Sequence, residues 1–264
     1  MEEKKVKVFV SGCTGRMGKL VVEAVNQHPG WEVCGGTSRC EKRSPYDFEV
    51  FDGGNCRADC FFSTSHPDII IDFSTPVVAE FVYTNYARYY GIPLVCATTK
   101  LSKELITAMK QDNTVPVFQA YNLAYDVYVF TEAVANLVAK LPGCIIDISE
   151  IHHKEKKDAP SGTALNLANA INRALGETHT IIFNTQSNGL RMPNEIYIHS
   201  ERKGSYAGTH IVTLTVANAY TIELKHEAFS SKIFADGAIK AAEFLLTQSA
   251  GYYKEKYIIK DTFS

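Results

Sequence analysis

The sequence predicts an α/β fold in two parts: a parallel sheet wrapped by helices, then an α+β region built on an open mixed sheet. Three observations predict it. Short, wholly apolar runs alternate with amphipathic helical stretches over the first 120 or so residues. A glycine-rich turn joins the first such run to the first helix. After residue 124 the strand-like segments change to an apolar–polar alternation, as in sheets with one face open.

In chain order, residues 6–10 form a strand and 11–18 a glycine loop. A helix follows with Met17, Leu20, Val21, Ala24 and Val25 on one face. Residues 31–36 form a second strand. Residues 69–73 (IIIDF) are continuous apolar chain, as in a strand buried on both faces. Ser74-Thr75-Pro76 starts a helix, with proline in its first turn, and Gly91-Ile92-Pro93 ends it. A strand at 94–97, a helix from Ser102 with Leu105, Ile106 and Met109 inward, and a strand at 115–119 complete the first part. The second part has a helix at 127–141, a long strand at 144–153 and a helix at 161–175. Open strands are expected at 181–183, 195–200, 210–216 and 220–225, and a last helix at 230–248. Residues 176–193 are the longest irregular stretch, of the kind a lid or inter-subunit loop uses.

The 264 residues are 45% hydrophobic and 21% charged, which excludes a disordered chain. Lys and Arg total 27 against 29 Asp and Glu, so the electrostatic footprint of a nucleic-acid binder is missing. No apolar run reaches the length of a membrane span, and the N-terminal segment lacks a signal-peptide core, so a cytoplasmic protein is expected. The seven cysteines have no framework spacing, and free thiols in a reducing compartment follow.

Gly12-Cys13-Thr14-Gly15-Arg16-Met17-Gly18 lies between strand and helix, the context in which glycines let backbone N–H groups approach a pyrophosphate at the positive helix end. The spacing is GxxGxxG, which a helix-capping turn without a ligand shares. Twenty residues after Gly18 comes Ser38, then Arg39, where a site for an unphosphorylated ribose carries an acid. A hydroxyl beside a guanidinium suits a 2′-phosphate, with Lys42 and Arg43 adding charge. A preference for NADPH over NADH is therefore expected; a solvated basic turn is the alternative.

Residues 150–165, EIHHKEKKDAPSGTAL, are the densest chemistry in the chain. They read as a strand end, a cationic loop and a helix start. Ser161-Gly162-Thr163 presents amides and a hydroxyl as an anion cradle. Lys156 and Lys157 offer a point charge for a second carboxylate, and His152 and His153 an imidazole for proton transfer. Adjacent histidines on a strand face opposite ways, so one is expected to serve as donor. A capped helix after a solvated charged loop reads alike in isolation. No third ligand at a supporting spacing favours a metal.

Together these segments resemble the 4-hydroxy-tetrahydrodipicolinate (dihydrodipicolinate) reductase family. VSGCTGRMGK (10–19) is similar to its cofactor loop and EIHHKEKKDAPSGTAL to its active-site signature. IDFSTP (71–76), ATT (97–99), AYNL (120–123), GSYAGTH (204–210) and FADGAIK (234–240) occur in the family's order. The resemblance implies a Rossmann dinucleotide-binding domain, residues 1–123 with 231–264. It also implies a substrate-binding and oligomerisation domain at 124–230, forming a homotetramer. It implies NAD(P)H-dependent reduction of a cyclic dicarboxylate in lysine and diaminopimelate biosynthesis, with NADPH preferred and NADH possible. His152 would be the proton donor, and His153, Lys156, Gly162 and Thr163 the substrate contacts, Lys156 also aiding catalysis. Residues 12–18 with Phe73, Ala97, Thr98, Thr99, Ala120, Tyr121, Asn122, Leu123 and Lys240 would line the cofactor. ATTK at 97–100 departs from the family's GTTG, and Tyr121 stands where a small residue is common. Two other readings share parts of the pattern. An amino-acid dehydrogenase would share the glycine loop, and a nucleotide-sensing module would not need His152 or Lys156.

Overall fold

The computed structural model describes residues 4–39, 45–53, 59–183, 191–217 and 219–262. The expected positions Lys42 and Arg43 lie outside the described residues, as do 184–190 of the irregular stretch. The chain runs β1 (Val6–Ser11), α1 (Arg16–Gln27), β2 (Trp31–Ser38), β3 (Glu49–Asp52), α2 (Asp59–Ser65) and β4 (Ile69–Asp72). Helix α3 (Pro76–Val82) passes through a π-turn (Tyr83–Ala87) into α4 (Arg88–Tyr90). Next come β5 (Leu94–Cys96), α5 (Lys103–Gln111), β6 (Pro116–Gln119), α6 (Tyr125–Val138), β7 (Ile145–His152), α7 (Gly162–Ala174) and β8 (Thr180–Phe183). Then follow β9 (Glu195–Arg202), β10 (Gly208–Val216), β11 (Tyr220–Ala228), α8 (Lys232–Leu245), β12 (Gly251–Tyr253) and α9 (Glu255–Thr262).

The chain divides into two compact units, residues 1–124 with 232–264, and 125–231. In the first unit seven strands pair in the order β12-β6-β5-β4-β1-β2-β3, all parallel. Both faces are covered. Val8, Val10, Ile69, Ile71 and Phe118 pack under α1 and α8. Phe9, Ile70, Leu94 and Val117 pack against α2–α5, and Phe62 stacks on Tyr86 with ring centroids 4.1 Å apart. Burial on both sides explains why these strands are continuous apolar runs. Chain order reverses between β1 and β4, the point where parallel sheets hold ligands beyond their carboxyl ends.

The second unit has a five-stranded mixed sheet, β11-β10-β7-β9-β8, antiparallel on one side of β7 and parallel on the other. One face, with Ile146, Ile148, Ile196, Ile198, Val212 and Leu214, packs on α6 and α7. The strict alternation of β7, half-exposed then buried, reflects this one-sided cover.

Four elements are additions to the expected set: β3, α2, β12 and α9. The returning chain after 231 was expected as one helix; it also supplies β12, which pairs with β6. The thiols of Cys13, Cys34, Cys96 and Cys144 are free, and among the described residues no helix is long and apolar enough to cross a membrane.

Candidate active site

The glycine loop of the first unit is shaped by its own backbone before any ligand is considered. Gly12 has φ +80°, and a Cβ there would lie 2.6 Å from the Phe73 carbonyl oxygen. A Cβ on Gly18 would lie 2.0 Å from the Gly12 oxygen, so α1 sits directly on the loop. Gly15 differs. It is the N-cap of α1, provides no side-chain cap, and a Cβ on it would meet only the Gly12 oxygen, at 3.2 Å. Apart from that oxygen and the adjoining residues, no atom of the described residues lies within 4 Å of such a Cβ, which fits a pyrophosphate at a helix N-terminus.

Side chains then fix the loop to its neighbours. Thr37 accepts the Gly12 N–H (2.9 Å) and bonds Ser11 Oγ (3.2 Å), and its carbonyl accepts from the Cys13 amide (2.9 Å) and thiol (3.2 Å). Cys13 thus points inward, burial pushes its thiol up to about 11, and only its backbone can face a ligand. Thr14 and Ser38 hydroxyls lie 2.7 Å apart, joining the loop to the end of β2; Arg39 beside them is exposed. The ends of β4 and β5 are tied by the fully buried Asp72, whose carboxylate accepts from Thr98 (2.6 Å) and Ser74 (2.5 Å). Desolvation raises Asp72 above the usual carboxylate range. Ala97 is buried, whereas Thr99 and Lys100 are exposed and Lys100 has φ +61°, a left-handed position that favours the glycine of GTTG. Ala120 and Leu123 are buried, Asn122 caps the Ala124 N–H (2.9 Å), and Tyr121 is exposed under Lys254. Gly237 lets α8 close on this segment, since a Cβ there would overlap the Leu123 carbonyl oxygen at 1.7 Å; Lys240 is on the exposed side of α8.

In the second unit, β7 places Glu150 and His152 on the same, helix-covered face because they are two residues apart. Both are buried. His152 Nδ1 is 2.8 Å from Glu150 Oε2, close but imperfectly aligned for a hydrogen bond. Glu150 Oε1 accepts from the Ser161 N–H (3.1 Å) and Arg202 Nη2 (2.8 Å). These contacts outweigh burial and hold the carboxyl well below its ordinary range. His210, opposite Glu150 on β10, lies edge-on to His152 with ring centroids 5.2 Å apart. Burial is the first cause that pushes His210 down to about 3, so it is neutral, and its Nε2 is 3.3 Å from Ser161 Oγ. Ser161 Oγ also caps α7 by accepting from the Ala164 N–H (3.1 Å).

Around this core, a Cβ on Gly208 would lie 3.0 Å from His152 Nε2, and one on Gly162 would meet nothing within 4 Å. Gly162 and Thr163 open α7. Lys156 pairs with Asp158 (2.8 Å), and Lys157 is exposed. His153 leaves the sheet, its amide donating to the Tyr206 carbonyl (3.0 Å). Sequence spacing supplied two histidines and no third ligand; the fold adds His210, and ligand atoms of Glu150, His152 and His210 lie within 4.8 Å of one another. Arg202 and Ser161 already occupy Glu150 Oε1, and Oε2 is the oxygen that faces His152.

The family described as "Dihydrodipicolinate reductase, N-terminus" matches residues 6–123, and its C-terminal counterpart matches 126–259. The chain belongs to the dihydrodipicolinate reductase family. Among its relatives in this family, a 4-hydroxy-tetrahydrodipicolinate reductase of Caldanaerobacter subterraneus subsp. tengcongensis is 35% identical, over 97% of this chain and 98% of that protein. One from Clostridium novyi is 34% identical over 96% and 98%. A solved dihydrodipicolinate reductase from Paenisporosarcina sp. TG-14, with dipicolinate bound, superposes with a TM-score of 0.74 at 20% identity, covering 96% of this chain and 99% of that one. At that identity the superposition shows the dihydrodipicolinate reductase fold.

Proposed function

We propose that the chain reduces 4-hydroxy-tetrahydrodipicolinate to tetrahydrodipicolinate with a pyridine nucleotide, NADPH in preference to NADH, in lysine and diaminopimelate biosynthesis. It works in the cytoplasm as a homotetramer. Residues 1–123 with 231–264 hold the dinucleotide, and 124–230 hold the substrate and the oligomer contacts. The observation that carries the reading is the buried Glu150–His152 pair, with Gly208 leaving space beside Nε2, in the same unit as the α7 start, where a Cβ on Gly162 would meet nothing within 4 Å.

When bound, the reduced nucleotide supplies a hydride to the ring. The uncapped start of α1 and the backbone of residues 12–18 hold its pyrophosphate. Ser38 and Arg39 receive a 2′-phosphate through a hydroxyl and a guanidinium fork. Phe73, residues 97–99, residues 120–123 and Lys240 line the rest. On the second unit, the α7 amides at Gly162 and Thr163 take one carboxylate, while Lys156 and His153 take the other. His152 keeps Nδ1 toward Glu150 and gives the Nε2 proton to the reduced ring, so negative charge does not accumulate there. Two anion anchors on one rigid sheet-and-helix frame orient a two-acid ring.

The test is a coupled assay in which the preceding synthase makes the unstable substrate in situ and nucleotide oxidation is followed. His152→Gln lowers kcat by about 10²-fold with little change in KM, as expected for a lost general acid; an unchanged kcat refutes the role. Arg39→Ala raises KM for NADPH and leaves that for NADH unchanged. Equal use of both nucleotides by the unaltered protein refutes the preference.

A further inference from the structure

We propose that Glu150 is a positioning residue: one buried carboxylate fixes which nitrogen of His152 exchanges the proton, stabilises the imidazolium, and ties that histidine to the start of α7. The inference rests on the proton-donor reading of His152 above and deepens it.

Glu150 is 1% exposed, and a carboxylate so buried persists as an anion only if its oxygens are satisfied. Here Oε1 takes the Ser161 amide and Arg202, while Oε2 sits 2.8 Å from His152 Nδ1 in an ion-pair contact short of an aligned hydrogen bond. An anion at Nδ1 keeps the proton of the neutral imidazole there and leaves Nε2 as the atom that gains and loses a proton. Nε2 is also the nitrogen next to Gly208, where a side chain would crowd it. The same Oε1 holds the residue that caps α7, so movement of the carboxylate would disturb the acid and the anion cradle together.

Charged and titratable groups reach His152 from each neighbouring strand. Glu150 comes from β7 itself, His210 from β10 and Arg202 from β9, where it is the register partner of His152. His226 on β11 lies behind His210, ring centroids 6.4 Å apart. Ser161 at the α7 cap is uncharged. Lys156, in the loop after β7, acts on His210 through space and is itself paired with Asp158. His210 is neutral, so the nearby cations are Arg202 and Lys156, and Glu150 is the anion that opposes them. Arg202 also donates to the Asp158 carbonyl (2.5 Å), so it clamps the loop as well as the carboxylate.

The experiment is nitrogen-15 NMR titration of His152 in the full chain without substrate, run beside the pH profile of kcat. In Glu150→Gln the His152 midpoint falls by about one unit or more, the size expected when an opposite charge at contact is removed. The Nδ1–H tautomer loses its dominance, and the alkaline limb of kcat moves down with the midpoint. In Arg202→Gln, which removes a cation and leaves the anion, the midpoint rises. Opposite shifts are a signature that general loss of packing does not produce. An unmoved midpoint in Glu150→Gln, or a fall in both variants, overturns the proposal. Should Glu150→Gln not fold, Glu150→Asp, which keeps the charge but draws the carboxylate back from Nδ1, decides: a lowered midpoint with loss of the Nδ1–H tautomer supports the role, and an unchanged midpoint and tautomer overturn it. If the midpoints move as stated while His152→Gln keeps full kcat, Glu150 positions the imidazole and the proton-donor assignment is what fails.

Discussion

At the scale of single residues, the site depends as much on what is missing as on what is present. Gly208 leaves room at His152 Nε2; Gly208→Ala would put a methyl 3.0 Å away and force the ring aside by a few tenths of an ångström. We expect kcat to fall about tenfold to a hundredfold with the thermal midpoint nearly unchanged, since misplacement of a reacting group costs rate before it costs stability. Steady-state kinetics and a thermal melt on one preparation check this. Residue types carried much of this site into view from the sequence. His152, Lys156 and the 161–163 helix start were legible because proton transfer and anion binding draw on few side chains at close spacing. Glu150 carried a usable signal too, since two residues' separation on a strand puts it on the face of His152. Arg202 and His210 carried none locally. They meet Glu150 only through the parallel pairing of β7 with β9 and the antiparallel pairing with β10.

At the scale of elements, two glycines in helices have opposite duties. Gly237 admits α8 against the 123–124 backbone, so Gly237→Ala is expected to cost about 3 kcal/mol or more through forced repacking. Gly162 begins α7 with open space around it, so Gly162→Ala gains a better helix former and raises stability by up to about 1 kcal/mol. The same methyl stands over the amides assigned to a carboxylate, so KM for the substrate rises. Denaturant unfolding and substrate kinetics separate the two effects. Elements with long apolar or strictly alternating patterns, β1, β4, α1 and β7, were evident from sequence. Strand β3 (EVFD) is a short edge strand, β12 (GYY) has three residues, and α2 (DCFFSTS) mixes aromatic with small polar residues. None of these carries enough periods to stand out, and only pairing or packing with distant chain defines them.

For the whole molecule, buried histidines set a pH dependence of stability. His210 is held down to about 3, and burial also lowers His226. The unfolded chain takes up a proton at His210 as pH falls below about 6.5, and the folded chain does not until about 3. Stability is therefore fully present above 6.5 and declines on acidification, with a slope from His210 of up to about 1.4 kcal/mol per pH unit. Glu150, held low, adds loss of the same sign only below its ordinary range near 4.5. Asp72, raised by burial, opposes this trend, so the His210 part is the difference between denaturant titrations of the unaltered protein and His210→Asn between pH 6.5 and 4.5; an equal slope in both proteins would refute the assignment. Another consequence concerns the order in which the chain is made. Residues 251–253 complete the edge of a sheet whose neighbouring strand, 116–119, is synthesised more than a hundred residues earlier. During translation the β6 edge stays open while the whole intervening unit, residues 125–231, emerges and can close its own sheet first. The inserted part is thus the natural early folder, and the part that begins the polypeptide is the one that finishes last.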